Sequence, residues 1–177
     1  MTKKKAKGEF TVSLNELSQE IDLKDYLGRT PSAKEKKLFA ELAIDTIENR
    51  TLDGKNINGR KFKKYSKAYA EFKGVTQDSV DMFLEGDMLD SIKRKKKLES
   101  GDTVFIHLND KLETKKGYNH MTRKTKANPL PKREFFGLND DEAEKIAKKI
   151  KQPDKKKSVS LAELRAALNL LDIEQVE

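Results

Sequence analysis

Cysteine is absent from the 177 residues, which excludes disulfides, thiolate zinc sites and cysteine nucleophiles. That absence agrees with folding in a reducing cytoplasm. Nowhere does an uninterrupted apolar run approach the ~20 residues a membrane-spanning helix requires. The start of the chain carries Lys3, Lys4, Lys5 and Lys7 like the n-region of a signal peptide, but no apolar h-region follows. Neither secretion nor membrane residence is expected. Arginine is scarce: seven of the 38 basic residues are Arg. Lysine is a hydrated point charge without the planar fork that reads guanine edges. The formal charge of +8 therefore implies a diffuse field for a polyanion rather than sequence-specific readout.

Catalytic signatures are missing too. Serine-nucleophile motifs and phosphate-cradling glycine loops do not occur. His107 and His120 have no second ligand at a recognisable spacing. In the 49–60 loop, Asn49, Thr51, Asp53 and Gly54 fit four calcium-loop positions, but Arg60 stands where a bidentate Glu is required. The acidic groups Asp78 with Asp81, Asp87 with Asp90, and Asp140 to Glu142 are weighed as carboxylate pairs against the first-turn acids that a helix dipole favours. The second reading prevails. No enzyme activity and no cofactor are expected.

What is present is 35% hydrophobic residues, clustered in periodic segments. Residues 1–30 read as a basic arm with a short helix. In it, Ser13 and Glu16 make a capping box before Leu14, Leu17 and Ile21. A second box, Ser32 and Glu35, opens a helix over 33–50 with Leu38, Phe39, Leu42, Ala43 and Ile47 on one face. Asp53-Gly54 and Asn58-Gly59 mark a loop. A helical stretch with Tyr65, Tyr69 and Phe72 stops at Gly74, and Gly86 precedes a turn carrying Met88, Leu89 and Ile92. Residues 92–98 and 103–108 form a β-hairpin about Ser100 to Asp102. Residues 109–130 read as a long polar loop or ragged hairpin. Arg133 to Phe136 read as a strand ended by Gly137. Its alternation sends Phe135 and Phe136 to opposite sides, one to the core and one to an interface, while Arg133 awaits an acidic residue or a neighbouring subunit. Asn139 and Glu142 cap a helix through about 151, striped with Ala143, Ile146, Ala147 and Ile150. After a lysine linker from 153, Ser160 and Glu163 cap a last helix with Leu161, Leu164, Leu168 and Leu171. The class is α+β: a domain at 31–152 with a small antiparallel sheet and packed helices, plus a basic N-terminal arm and an extra C-terminal helix in 153–177.

Charge concentrates in two places. Lys93 to Lys97 are five consecutive cations, and 111–133 carries a net +7. Lys95, Lys96, Lys97, Lys115, Lys116, Arg123, Lys124 and Lys126 are candidate contacts to DNA or an acidic partner, against the plainer reading of lysines guarding a strand edge. Residues 160–177 are net −3. That helix suits either a neighbour's basic face or its own domain.

Several segments, in order, resemble the bacteriophage virion morphogenesis family, also called tail completion proteins. They are Ile47 to Arg50 with Asp53 and Gly54; Phe62, Tyr65, Ser66, Tyr69, Lys73 and Gly74; Leu84, Gly86, Met88, Leu89, Ser91 and Ile92; and Pro131, Arg133, Phe135, Phe136, Gly137 and Leu138. The resemblance covers about residues 33–151. It implies a non-enzymatic component of the head–tail junction (neck) or tail end, located in the virion and assembled in the host cytoplasm. It also implies self-association as a ring, with head–tail adaptor, portal-side or tail-terminator proteins as partners. Non-specific nucleic-acid binding through the lysine field is the alternative.

Overall fold

A computed structural model of the chain describes residues 8–82, 87–122 and 131–152. Residues 1–7 of the expected basic arm and the expected helix at 160–171 lie outside those residues, as do Gly86, Arg123, Lys124 and Lys126. The described residues form an α+β fold. Strands β1 (Phe10–Val12), β2 (Leu17–Asp22), β3 (Ile92–Arg94) and β4 (Thr103–Leu108) make one antiparallel sheet in the order β1-β2-β4-β3. Helices are α1 (Lys24–Leu27), α2 (Ala33–Leu52), α3 (Lys67–Lys73), α4 (Asp87–Asp90), α5 (Lys111–Thr122) and α6 (Asp140–Lys151).

Directly opposed residues of an antiparallel pair share a face. Gln19 opposite Ile106 and Ile21 opposite Val104 therefore define the inner face, on which α2 packs. Ile21, Val104, Ile106, Phe39, Ala43 and Ile47 are all fully buried there. Ser18 opposite His107 and Glu20 opposite Phe105 define the outer face.

Both expected capping boxes of the long helices form. Ser32 accepts from Glu35 N–H, Asn139 accepts from Glu142 N–H, and each Glu reaches back to its cap. Phe39, Ala43 and Ile47 of the expected α2 stripe are fully buried, with Ala40 beside them, while Leu42 is partly buried and Leu38 is 41% exposed.

Four expectations are corrected. The Ser13 and Glu16 pair starts no helix. Ser13 Oγ takes the Glu16 N–H inside the β1–β2 turn, a hydrogen bond that a serine makes as well in a turn as at a helix start. Consequently β2, from the presumed arm, lies in the middle of the sheet. The first strand of the later hairpin stops at Arg94 and gives way to a 3-10 turn at Lys96–Leu98. Residues 111–122 are helix rather than polar loop. Asp110 Oδ1 caps it by accepting from Leu112 and Glu113 N–H. Mid-helix Gly117, which costs about 1 kcal/mol of helix propensity, sits where a Cβ would lie 3.0 Å from Leu17 Cδ2 and 3.1 Å from Leu108 Cδ2. Close packing of α5 on the sheet explains that glycine.

Finally, Arg133 to Phe136 pair with no strand, because the segment turns on itself with Phe135 N–H donating to Arg133 O. Phe135 and Phe136 are both fully buried, so neither is left for an interface.

Candidate functional site

Among the described residues, Arg50, Phe135, Phe136 and Leu138 of the resemblance residues share a buried framework. Arg50, in the last turn of α2, is 8% exposed. Its Nη1 donates to both Glu142 oxygens and its Nη2 to the carbonyls of Phe135 and Gly137. Burial depresses the Arg50 pKa, and Glu142 opposes that shift. Gln19 closes the same loop by pairing with both the N–H and the C=O of Leu138, and Asn139 Nδ2 donates to Ile57 O.

The 53–62 loop is built for geometry. Asp53 caps α2. Gly54 has φ +73°, and a Cβ there would stand 2.6 Å from Val80 O. Gly54 O accepts from Phe62 N–H. Asn56 Oδ1 accepts from the N–H groups of Asn58 and Arg60. That asparagine is committed to the turn.

Beside it lies a cluster of charged and aromatic groups around Arg133. Arg133 is 3% exposed, donates to Lys63 O, and sits 5.1 Å from the Tyr65 ring centroid. Lys73 Nζ is 5.2 Å from the same ring and forms an ion pair with Asp81. A cation near an aromatic face is held by the ring quadrupole, more strongly when water is excluded. Burial lowers the Arg133 pKa, with Tyr65 opposing. Burial, and then the Arg133 charge, lowers His120 to about 4. His120 is on α5, not in a loop, and its carbonyl accepts from Arg133 N–H. Burial also raises Tyr65. Its hydroxyl contacts Asp81 and takes the Met82 N–H. The expected acidic partner of Arg133 is replaced, among the described residues, by a carbonyl and an aromatic ring. Among the described residues, His120 Nδ1 and Arg133 Nε have no hydrogen-bond partner.

From this cluster an aromatic ladder climbs to the surface. Tyr65 and Tyr69 meet at 4.8 Å edge-on, Tyr69 and Phe72 at 6.2 Å, and exposure rises along it from 6% to 38% to 75%. Ser66 caps α3, which carries the upper two rungs. Met88, Leu89, Ser91 and Ile92 are buried, with α4 packed against α5, and Pro131 is half-buried.

The lysines are elsewhere. Lys95, Lys96 and Lys97 are exposed on the 3-10 turn, and Lys115 and Lys116 on α5. Lys116 pairs with Glu113 at 2.6 Å. One lysine from each basic run, Lys95 and Lys111, lines an open groove on the outer face, together with Glu16 and Asp110. Burial, and then Lys95, keeps the groove's His107 pKa low.

Sequence reasoning missed Arg50 as the organiser of the 135–142 loop. An arginine in an otherwise buried helix stripe was the available signal. Among the described residues no group of three or more His, Asp or Glu is arranged to hold a metal ion, and no helix is long and apolar enough to cross a membrane. No family model, curated protein or solved structure matches the chain.

Proposed function

We propose that this protein is a structural component of a phage neck or tail end that works by self-association into a ring, without a cofactor. The observation that carries the reading is the aromatic ladder from buried Tyr65 to exposed Phe72. A large exposed aromatic next to a packed aromatic base is the kind of anchor that protein interfaces concentrate. The motif order that resembles tail completion proteins supplies the biological setting. Its residues here are occupied in holding the fold, as an assembly scaffold requires.

The test is electron microscopy of particles from a phage encoding this chain, with the protein labelled. Ring density at the head–tail junction or tail end is the expected result. A finished particle that lacks the label overturns the reading.

The exposed Lys95, Lys96, Lys97, Lys115 and Lys116 favour a second reading, non-specific nucleic-acid binding. That reading requires affinity to fall steeply with salt, with a slope set by the phosphates neutralised. Salt-insensitive assembly with negligible DNA affinity excludes it.

A further inference from the structure

Among the described residues the sheet ends in two unlike edges, β1 at one side and β3 at the other. Every neighbouring pair is antiparallel, so these two edge strands run in opposite directions. Ladder hydrogen bonds in such a sheet alternate along each strand. Lys95 N–H donates to Phe105 O, and Ser91 O accepts from Asn109 N–H. The backbone at 91, 93 and 95 therefore faces β4, and that of Ile92 and Arg94 faces away from the sheet. On the other side, Ser13 N–H donates to Glu16 O and Glu9 O accepts from Glu20 N–H. The same alternation turns the Val12 N–H and C=O outward.

The two edges also differ in charge. Thr11 opposite Ser18 and Lys93 opposite His107 carry the outer face to both margins. On that face Glu9 is exposed at the β1 margin, while Lys93 and Lys95 are exposed at the β3 margin, followed by Lys96 and Lys97. Like charges directly opposite destabilise a strand pair and unlike charges support it. Lysines on an edge thus repel a second lysine edge and accept an acidic one. We infer that a second copy of this chain docks head to tail, its β1 adding to the outer side of β3. Continued in this way the strands pair antiparallel, and the outer faces stay on one side. With Val12 opposite Ile92, Thr11 falls opposite Lys93 and Glu9 opposite Lys95. An apolar pair then lies on the inner face and a charge pair on the outer. A contact between two different surfaces repeats from copy to copy and closes into a ring or runs on as a filament. The inference rests on the self-association in the proposed function and supplies its contact.

The absence of cysteine makes the test clean, because an introduced thiol is the only one in its chain. Full-length Thr11→Cys and Lys93→Cys are prepared separately and then mixed under mild oxidation. Opposed residues outside the hydrogen-bonded pairs lie about 4.5 Å apart between Cα atoms, within the reach of a disulfide. The mixed dimer is expected to exceed either like dimer by about tenfold, since docking raises the effective concentration of the two thiols. Adding Glu9→Lys to the first protein is expected to remove the excess, and adding Lys95→Glu to the second to restore it. A statistical mixture of dimers, an absence of cross-linking, or an excess indifferent to both charge changes overturns the inference. Ring density in particles without selective cross-linking refutes this contact alone. Selective cross-linking by a protein missing from finished particles refutes the virion reading alone. Glu9, Lys93 and Lys95 are exposed and Thr11 is half-buried at the sheet margin, so folding is preserved in each variant.

Discussion

Arg50 grips both carboxylate oxygens of Glu142, at 2.8 and 2.7 Å, across 92 residues of chain. The pair joins the C-terminal turn of α2 to the N-terminal turn of α6. The same guanidinium satisfies the Phe135 and Gly137 carbonyls between them.

Removing it strands a partly buried carboxylate and two buried carbonyls together. Arg50→Leu is expected to destabilise the fold by about 3–5 kcal/mol, the usual penalty for breaking a buried ion pair from one side. Urea denaturation reads this directly. A midpoint within error of the parent would mean that the pair is dispensable.

His120 sets an acid limit. Its folded pKa of about 4 lies below the ordinary 6.5, so the unfolded chain takes up the proton first. The stability that neutral His120 allows is complete above pH 6.5 and is lost as pH falls toward 4. The loss amounts to about 3 kcal/mol at 1.36 kcal/mol per pH unit. Replacing His120 with Asn should flatten the stability profile across that window. Glu35, held down to about 2 by Arg29 and the Ser32 cap, loses its contribution in a lower window, from 4.5 toward 2. The two are separable by titration.

Phe135→Ser and Phe136→Ser are expected to fail as folding variants rather than assembly variants. Truncating a fully buried Phe costs about 3–5 kcal/mol, and both rings have no exposure. Circular dichroism melts should show a large drop for either. A well-folded Phe136→Ser protein would restore the idea of a free interface ring.

Phe72→Ser should behave in the opposite way. At 75% exposed its loss is expected to leave stability within about 0.5 kcal/mol while reducing incorporation into particles. Unchanged incorporation would remove the ladder from the assembly argument.

Gly54→Ala combines a positive φ with a Cβ 2.6 Å from a backbone oxygen. It is expected to cost more than the ~1 kcal/mol that a left-handed conformation alone imposes on an alanine. A chemical melt of this variant should move to lower denaturant, and an unmoved midpoint would show that the 53–62 loop yields easily.

How much of this was legible depended on whether a local signal had one meaning. Ser32 with Glu35 and Asn139 with Glu142 each preceded a strong apolar stripe, so α2 and α6 could be read directly. Ser13 with Glu16 offered the same letters but closed a hairpin. The alternation of Leu17, Gln19 and Ile21 was hidden because its middle member is a buried amide serving Leu138. Asp110 with Glu113 was a true helix start, obscured by lysines and by a glycine whose reason is a contact with Leu17 and Leu108. Buried polar residues acting over long separations, Arg50 above all, leave no periodic trace. The framework around them therefore emerged only in three dimensions.

The pairing of Ser18 with His107 has a consequence for the timing of synthesis. About ninety residues separate the two strands at the centre of the sheet, so at roughly 5–20 residues per second β2 waits some 5–20 s on the ribosome for its partner. In that interval α2, capped from within its own sequence, can form, while the hairpin that holds β2 presents an unpaired strand edge. The nascent chain is thus most vulnerable to misassociation before residue 108 emerges, and a pause or a bound chaperone would matter most there.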